Sequence, residues 1–196
     1  MKKKLSCLLA AALLLAGLAG CGEKQQTATE SYIAPAVLTD GEKDLLGLLD
    51  VTPNRLFECQ LGENVDGIAF HIYRLTEGKW TPLTEAGGLS DFSEGSPSGR
   101  MAVLFDTIPG GVEIAVEGVR FSSGELEETA PTGGATGLVT LSEKKTVENG
   151  DEIPLVLQIF AGNAIGSHTV EDFDRPGELA GSGYKAVYAI TVTAGK

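Results

Sequence analysis

The sequence predicts an all-β protein, an antiparallel β-sandwich of about seven or eight strands with one short N-terminal helix. Three observations support this prediction. Apolar and polar residues alternate along several short segments, as in strands that bury one face. Turn sequences rich in glycine separate these segments. Helical patterns do not alternate with the strands, so the βαβ arrangement of a parallel sheet is not expected.

The helix is predicted to begin after Thr39 or Asp40, because either side chain can cap a first turn. Leucines follow at positions 45, 46, 48 and 49 and supply an apolar side. Pro53 ends the helix, and Gly47 lowers its intrinsic stability by about 1 kcal/mol. We expect this helix to cover one edge or one end of a sheet.

The first strands follow from alternation and turn chemistry. Residues 65–75 alternate and lead through Gly78 into residues 80–83, which predicts a hairpin. Residues 101–105 form another strand, and Pro109 with Gly110 is typical of a type II turn.

The clearest half-buried strand spans residues 112–116. The period of two places three aliphatic side chains inside the sandwich: Val112, Ile114 and Val116. It places two carboxylates in water: Glu113 and Glu117. Across the core, the aliphatic residues are expected to face three others: Leu155, Leu157 and Ile159.

The C-terminal part of the chain predicts further strands. A segment at 138–147 is followed by a turn at 148–151. Residues 153–161 are apolar on both faces, which is typical of a central strand. Residues 184–192 close the domain, with alternate residues on one face: Tyr184, Ala186, Tyr188, Ile190 and Val192.

The composition excludes one class of partner. The chain has 196 residues and a formal net charge of −12. Proteins that bind nucleic acids present basic surfaces to the phosphates, so no nucleic-acid partner is expected for this acidic chain. The same charge disfavours adsorption to anionic lipid headgroups.

The first 21 residues carry a processing signal. Lys2–Lys4 precede an apolar run that ends in Leu18-Ala19-Gly20-Cys21. A basic start, a short apolar run and small residues before a cut are typical of a secretory leader. The run, about 15 residues long, is shorter than the roughly 20 needed to span a bilayer. These residues resemble the bacterial lipoprotein signal, which is cut before an acylated cysteine.

This resemblance implies the organisation of the chain. Residues 1–20 would be a cleaved signal peptide, and Cys21 would carry the lipid that holds the protein on the extracytoplasmic face of the cell membrane. Stable anchoring needs two acyl chains, such as palmitate, and a diacylglyceryl group on Cys21 would meet that requirement. Residues 21–40 form a polar tether, with an apolar patch at 32–38 that can dock on the domain. Residues 41–196 form a single β-sandwich domain. This layout is loosely similar to small lipoproteins of anaerobic Gram-positive bacteria.

The remaining cysteine offers no disulfide. Cys7 lies in the leader and Cys21 is the expected lipid site, which leaves Cys59. Its alternating apolar neighbours, Phe57 and Leu61, predict that its thiol is buried and inert.

Two segments concentrate titratable side chains. The loop 168–174 contains an imidazole and three carboxylates: His168, Glu171, Asp172 and Asp174. A second acidic cluster contains Glu125, Glu127 and Glu128. Solvated acidic loops are the preferred interpretation of both, with calcium binding at the first and glycoside hydrolysis at the second as alternatives. His71 is interpreted as a surface or edge residue.

No catalytic residue, metal ligand or cofactor is assigned. The S-x-x-K tetrad at 142–145 is interpreted as coincidental, because its companion S-D-N and K-T-G motifs are absent from the sequence. Three aromatic residues are candidate ligand-binding platforms: Trp80, Phe92 and Phe173. The alternative role of Trp80 is to close the core.

The preferred functional interpretation is a non-enzymatic, membrane-anchored module that binds a glycan, a peptide or a partner protein. One alternative is a hydrolase of envelope or other polymers that uses loop carboxylates. Another is a purely structural envelope component. Two carboxylates that face each other would indicate the hydrolase. An exposed aromatic face would indicate a glycan-binding module, and a contiguous apolar patch would indicate a structural component.

Overall fold

The computed structural model describes residues 30–48, 52, 55–62, 65, 67–84, 87–90, 98–116, 119–124 and 126–195. The lipobox with Cys21, together with Phe92, Glu117 and Glu125, lies outside these residues. The described part is mostly β, with short helices between strands. The helices are α1 (Asp40–Leu48), a 3-10 helix (Val170–Asp174) and α2 (Pro176–Gly181).

The described residues form twelve strands. They are β1 (Tyr32–Pro35), β2 (Leu56–Gln60), β3 (Gly67–Thr76), β4 (Lys79–Pro82), β5 (Gly87–Ser90), β6 (Ser98–Leu104), β7 (Glu113–Val116), β8 (Val119–Ser122), β9 (Ala135–Thr140), β10 (Lys145–Thr146), β11 (Glu152–Ala161) and β12 (Ala186–Gly195). Seven or eight strands had been expected from alternation. The difference arises because segments of two to four residues, such as β10, β5 and β1, are too short to show a period.

The strands form two antiparallel sheets. Sheet A has the order β10-β1-β2-β6-β7-β8. Sheet B has the order β4-β3-β12-β11-β9, and β5 also pairs with β3. The central position of β11 confirms what its apolar faces predicted. β1 lies in the stretch predicted as a tether, at the apolar patch that was expected to dock.

Side chains from both sheets share one core cluster. In sheet A the cluster includes Phe57, Met101 and Ile114, and in sheet B it includes Phe70 and Ile190. The predicted inward residues of the strand at 112–116 are buried in this cluster, whereas Glu113 is exposed. The register predicted for this strand is therefore confirmed.

The residues expected opposite this strand are corrected at two positions. Leu155 belongs to the cluster shared by the sheets, but Leu157 and Ile159 belong to two separate clusters. The reason is a register shift between Pro154 and Val156. A bulge adds one residue to the strand and reverses which alternate positions face inward afterwards.

The other face of sheet B is covered by the segment that joins β11 to β12. Phe173 of the 3-10 helix packs with Leu157 and Ala189. Leu179 of α2 packs with Ile159 and Val187. We call the segment 162–185 the outer layer. Sheet B is therefore buried on both faces.

Two turns show how the local sequence acts. Glu77 and Gly78 both have positive φ, at 51° and 75°, which fits the two-residue turn of the predicted hairpin β3–β4. At the second turn, Gly110 N donates to Thr107 O at 2.8 Å, and the Ile108–Pro109 peptide is cis. The predicted type II turn is wrong, because this hydrogen bond places Pro109 at the third position of the turn, where a type II turn requires a positive φ that proline cannot adopt.

Helix α1 forms where it was predicted, and Thr39 caps it. Thr39 N and Oγ1 both donate to Glu42 Oε2, at 2.7 and 2.8 Å, while Glu42 N donates to Thr39 Oγ1 at 3.4 Å. Glu42 also pairs with Arg100 of β6. The helix was expected to cover one edge or one end of a sheet. It instead contacts β6, which lies inside sheet A, and no residue of α1 is buried.

Candidate functional site

The outer layer brings three polar side chains into one hydrogen-bonded chain. His168 Nδ1 lies 2.7 Å from Asp172 Oδ2, and His168 Nε2 lies 2.6 Å from Tyr184 Oη. Gly166 N donates to the same Tyr184 oxygen at 3.2 Å. The 3-10 helix positions Asp172 four residues after His168, and Tyr184 comes from the start of the segment that enters β12. We call this group the His168 cluster.

The directions of these hydrogen bonds are those of the neutral imidazole with its proton on Nδ1, since the tautomer sets which ring nitrogen donates. The Asp172 carboxylate only accepts, so His168 Nδ1 donates to it in the neutral imidazole. Nε2 then carries a lone pair and accepts the hydroxyl proton of Tyr184. The Tyr184 oxygen in turn accepts from Gly166 N. This arrangement ties the two ends of the outer layer together and orients one phenol.

The His168 cluster is largely shielded from solvent. The exposed fractions of the His168 and Asp172 side chains are 12% and 15%. Arg175 donates to the second oxygen of Asp172 and also pairs with Glu178 at 3.1 Å. The Asp172 carboxylate is therefore paired with the Arg175 guanidinium on one side and bonded to the His168 imidazole on the other. These contacts favour a structural role for Asp172 over the predicted role of a solvated acid.

Of the other acids of this loop, Asp174 is exposed and Glu171 faces a cation. Glu171 Oε1 lies 2.7 Å from Lys145 Nζ. The hydrogen bond from Lys145, followed by one from Thr169, lowers the pKa of Glu171 to about 2. Lys145 ends the S-x-x-K tetrad, and this ion pair accounts for its ammonium group.

The second acidic cluster is divided. Glu127 is exposed, whereas Glu128 is partly buried and pairs with Arg74 of β3. Tyr188 Oη donates to the other oxygen of Glu128 at 3.3 Å. Burial first, and then the negative charge of Glu128, raise the pKa of Tyr188 to about 12. Glu128 thus joins the loop to the ends of two strands.

The aromatic candidates Trp80 and Phe173 pack against each other. Their ring centroids lie 4.9 Å apart with an interplanar angle of 16°, and Trp80 Nε1 donates to Phe173 O at 2.8 Å. Phe173 is 8% exposed. One face of each ring is therefore occupied by the other ring.

The two remaining sequence candidates have ordinary surroundings. His71 stacks on Tyr73 with ring centroids 5.8 Å apart, on the side of β3 away from the shared core. Cys59 is buried, as its neighbours predicted.

Three large apolar side chains are exposed in the part of the chain that the structure describes. They are Val37 at 79%, Leu45 at 56% and Leu48 at 84%. All three lie within twelve residues, immediately before and along α1. Asp40 and Asp44 are exposed beside them. We call these five residues the α1 surface.

Sequence reasoning missed two features of these sites. The sequence pattern predicted Tyr184 on the core face of the last strand, but β12 begins only at Ala186. The pairing with β11 starts just before it, where Lys185 N donates to Phe160 O at 2.8 Å. Gly183, with φ of 70°, turns the chain before that point. The α1 surface was missed because leucines spaced along one side of a helix normally predict a buried face, and the sequence pattern does not show whether another element covers that face.

Within the described residues, no group of three or more histidine, cysteine or acidic side chains is arranged to hold a metal ion. Among the described helices, none is long and apolar enough to cross a membrane. Comparisons with protein-family models, with curated proteins and with solved structures found no match to this chain.

Proposed function

We propose that this protein is a membrane-anchored, extracytoplasmic lipoprotein and a non-enzymatic binding module that docks a partner protein on its α1 surface. The observation that carries this proposal is the group of three exposed apolar side chains at 37–48. The same observation also fits the alternative of a structural envelope component, because that role too would cover these side chains with another protein. A short amphipathic helix usually forms because it buries its apolar side. Here Leu45 and Leu48, three residues apart on one side of α1, are left for another molecule to cover.

The scaffold of this module is proposed to be a β-sandwich. Its support is the core cluster that side chains of sheets A and B share. Antiparallel sheets that bury their inner faces against each other commonly pack in this way. The α1 surface lies on the side of sheet A that this packing leaves in solvent, since Glu42 contacts Arg100 there.

The contacts of the loop carboxylates favour binding over hydrolysis. A glycosidase needs two carboxyl groups that face each other across a sugar, about 5–10 Å apart. Glu171, Asp172 and Glu128 instead pair with Lys145, Arg175 and Arg74. The Trp80–Phe173 stack likewise favours a core role over a glycan platform.

The chemistry of the partner follows from the charges beside the apolar residues. Asp40 pairs with Lys43 at 3.3 Å and Glu42 pairs with Arg100, so the net negative charge of the described part of α1 comes from Asp44. An anionic lipid surface would be repelled, while a protein with an apolar centre and basic margins would be attracted. We therefore propose such a protein, and not the bilayer, as the occupant of the α1 surface.

The proposed anchor is supported by the lipobox and by the position of the first described residues. Glu30 accepts from Lys144 Nζ at 2.8 Å and from Thr146 Oγ1 at 3.0 Å, so the chain is fixed to sheet A from residue 30. Glu30 lies nine positions after Cys21, and a fully extended chain covers about 3.5 Å per position. The domain would therefore lie within about 30 Å of the lipid.

Fractionation of a Cys21→Ser variant tests the anchor. Serine offers no sulfur for a thioether, so the variant should remain uncleaved or move to the soluble fraction. A mature-length chain that still fractionates with membranes would contradict the lipoprotein proposal.

Site-specific photo-crosslinking in cells tests the α1 surface. A photoreactive residue at position 48 should give an adduct with a protein, whereas one at Thr81, exposed on β4, should not. Asp40→Lys with Asp44→Lys should weaken the adduct at position 48, because these changes remove the attraction for a basic partner. An adduct with lipid, or the same adducts at 48 and 81, would contradict the proposed occupant.

A further inference from the structure

Strand β9 forms one edge of sheet B and is chemically unusual for this chain. It pairs with β11 and has no other strand neighbour among the described residues. The segment 129–142 that contains it has no charged residue, although charged residues make up 21% of the chain. Proteins commonly protect an edge strand with charge or proline. Neither protects the six residues of β9.

The register shows which backbone groups this edge presents. Leu141 N donates to Leu155 O at 2.9 Å, and Val139 pairs with Leu157 in the same ladder. In an antiparallel pair, the residues that exchange hydrogen bonds alternate along the strand. The N–H and C=O groups that point away from β11 therefore belong to three residues: Thr136, Leu138 and Thr140.

These groups are available in the described part of the protein. None of the described residues donates to or accepts from the backbone of Thr136, Leu138 or Thr140 on that side. Thr136 is exposed, and Leu138 and Thr140 are partly exposed. The edge is thus a ready template for one more antiparallel strand.

We propose that β9 pairs with β9 of a second copy of this chain, antiparallel and about a twofold axis at Leu138. In this register Leu138 lies opposite Leu138 of the second copy, and Thr136 lies opposite Thr140 of the second copy. Each of the three outward residues then exchanges two hydrogen bonds, about six in all. The two B sheets become one continuous sheet across the dimer.

The side chains suit this pairing. Threonine opposite threonine is a favourable cross-strand pair. On the other face, Gly137 lies opposite Val139 of the second copy, beside Ile165 of its own chain, which covers Gly137. The segment 129–142 brings no charged residue to this edge, whereas the net charge of −12 of the whole chain opposes self-association in general. A twofold interface requires such self-complementarity.

Paired substitutions on the edge test both the partner and the register. Thr136→Lys with Thr140→Lys places lysine opposite lysine and should weaken self-association at least tenfold. Thr136→Lys with Thr140→Glu places lysine opposite glutamate and should retain it. The measurement is sedimentation equilibrium of the full chain in density-matched detergent, with far-UV circular dichroism as the check of folding.

The wild-type chain provides a test that needs no variant. Amide hydrogen exchange at Thr136, Leu138 and Thr140 should slow as protein concentration rises, while Gly137 and Val139 stay protected at every concentration. A chain that stays monomeric at the highest concentration, or equal effects of the two double substitutions, would overturn the proposal. If the variant with Thr136→Lys and Thr140→Lys does not fold, the wild-type chain decides. Amide exchange at its Thr136, Leu138 and Thr140 that does not depend on protein concentration would overturn the proposal.

Discussion

Replacing Leu157 with alanine tests whether sheet B is buried on both faces. Leu157 is fully buried, yet its neighbours are Phe173 and Ala189 rather than residues of sheet A. The substitution removes three carbon atoms, at about 0.8 kcal/mol for each buried CH2, and leaves a cavity. We expect Leu157→Ala to lower the free energy of unfolding by about 2–5 kcal/mol.

The single tryptophan of the chain reports on which core is disturbed. Trp80 stacks on Phe173 and packs against the cluster of Leu157. Leu157→Ala should therefore change the fluorescence of the folded protein as well as its denaturant midpoint. Ile114→Ala is the matched control. Ile114 is equally buried, but in the cluster shared by the two sheets, so it should destabilise similarly without changing native fluorescence.

The outcome that would refute this reasoning is specific. If Ile114→Ala changed the emission of the folded protein and Leu157→Ala did not, Leu157 would face sheet A. The bulge between Pro154 and Val156 would then be misplaced, and with it the assignment of the outer layer.

Three further predictions concern polar contacts. Tyr184→Phe should lower the free energy of unfolding by about 1 kcal/mol in urea titrations, because the hydrogen bond between Tyr184 Oη and His168 Nε2 is lost. Lys145→Met should cost less than about 1 kcal/mol at pH 7, since its ion pair with Glu171 is half exposed. The pKa of Glu171 in the folded protein, about 2, lies below its ordinary value of 4.5, so the ion pair stabilises the fold above pH 4.5 and this stabilisation is lost as the pH falls towards 2. The melting temperatures of the wild type and Lys145→Met should therefore converge near pH 2. Glu113→Ala should stay within about 0.5 kcal/mol, and a larger loss in denaturant titrations would contradict the exposed position of Glu113.

Much of the fold could be predicted because alternation reports burial directly. The strand at 112–116 has polar residues on one face only, so a single register is possible. Strand β11 shows the limit of this reasoning. All of its residues from Leu155 onward are buried, so alternation carries no information there and the bulge leaves no trace in the pattern. The assignment of Leu157 and Ile159 failed for that reason.

The sites were less predictable, because their members are distant in sequence and related only by tertiary packing. His168 and Asp172 lie in one loop, but Tyr184 joins them through the turn at Gly183. The pairing of Glu128 with Arg74 spans 54 residues. No local pattern encodes such a contact, so both acidic segments were interpreted as solvated.

The two proposed interfaces lie on different sheets, which makes them separable. The outward side of sheet A carries the Glu113–Arg120 ion pair at 3.6 Å, and the α1 surface is joined to this side where Arg100 donates to Val37 O at 3.4 Å. The β9 edge belongs to sheet B, whose faces are already covered by the shared core and the outer layer. Strand addition at β9 extends that sheet without moving either covering layer. Thr136→Lys with Thr140→Lys should therefore weaken the dimer at least tenfold while leaving the photo-crosslink at position 48 unchanged. Loss of both together would show that the α1 surface is completed only in the dimer.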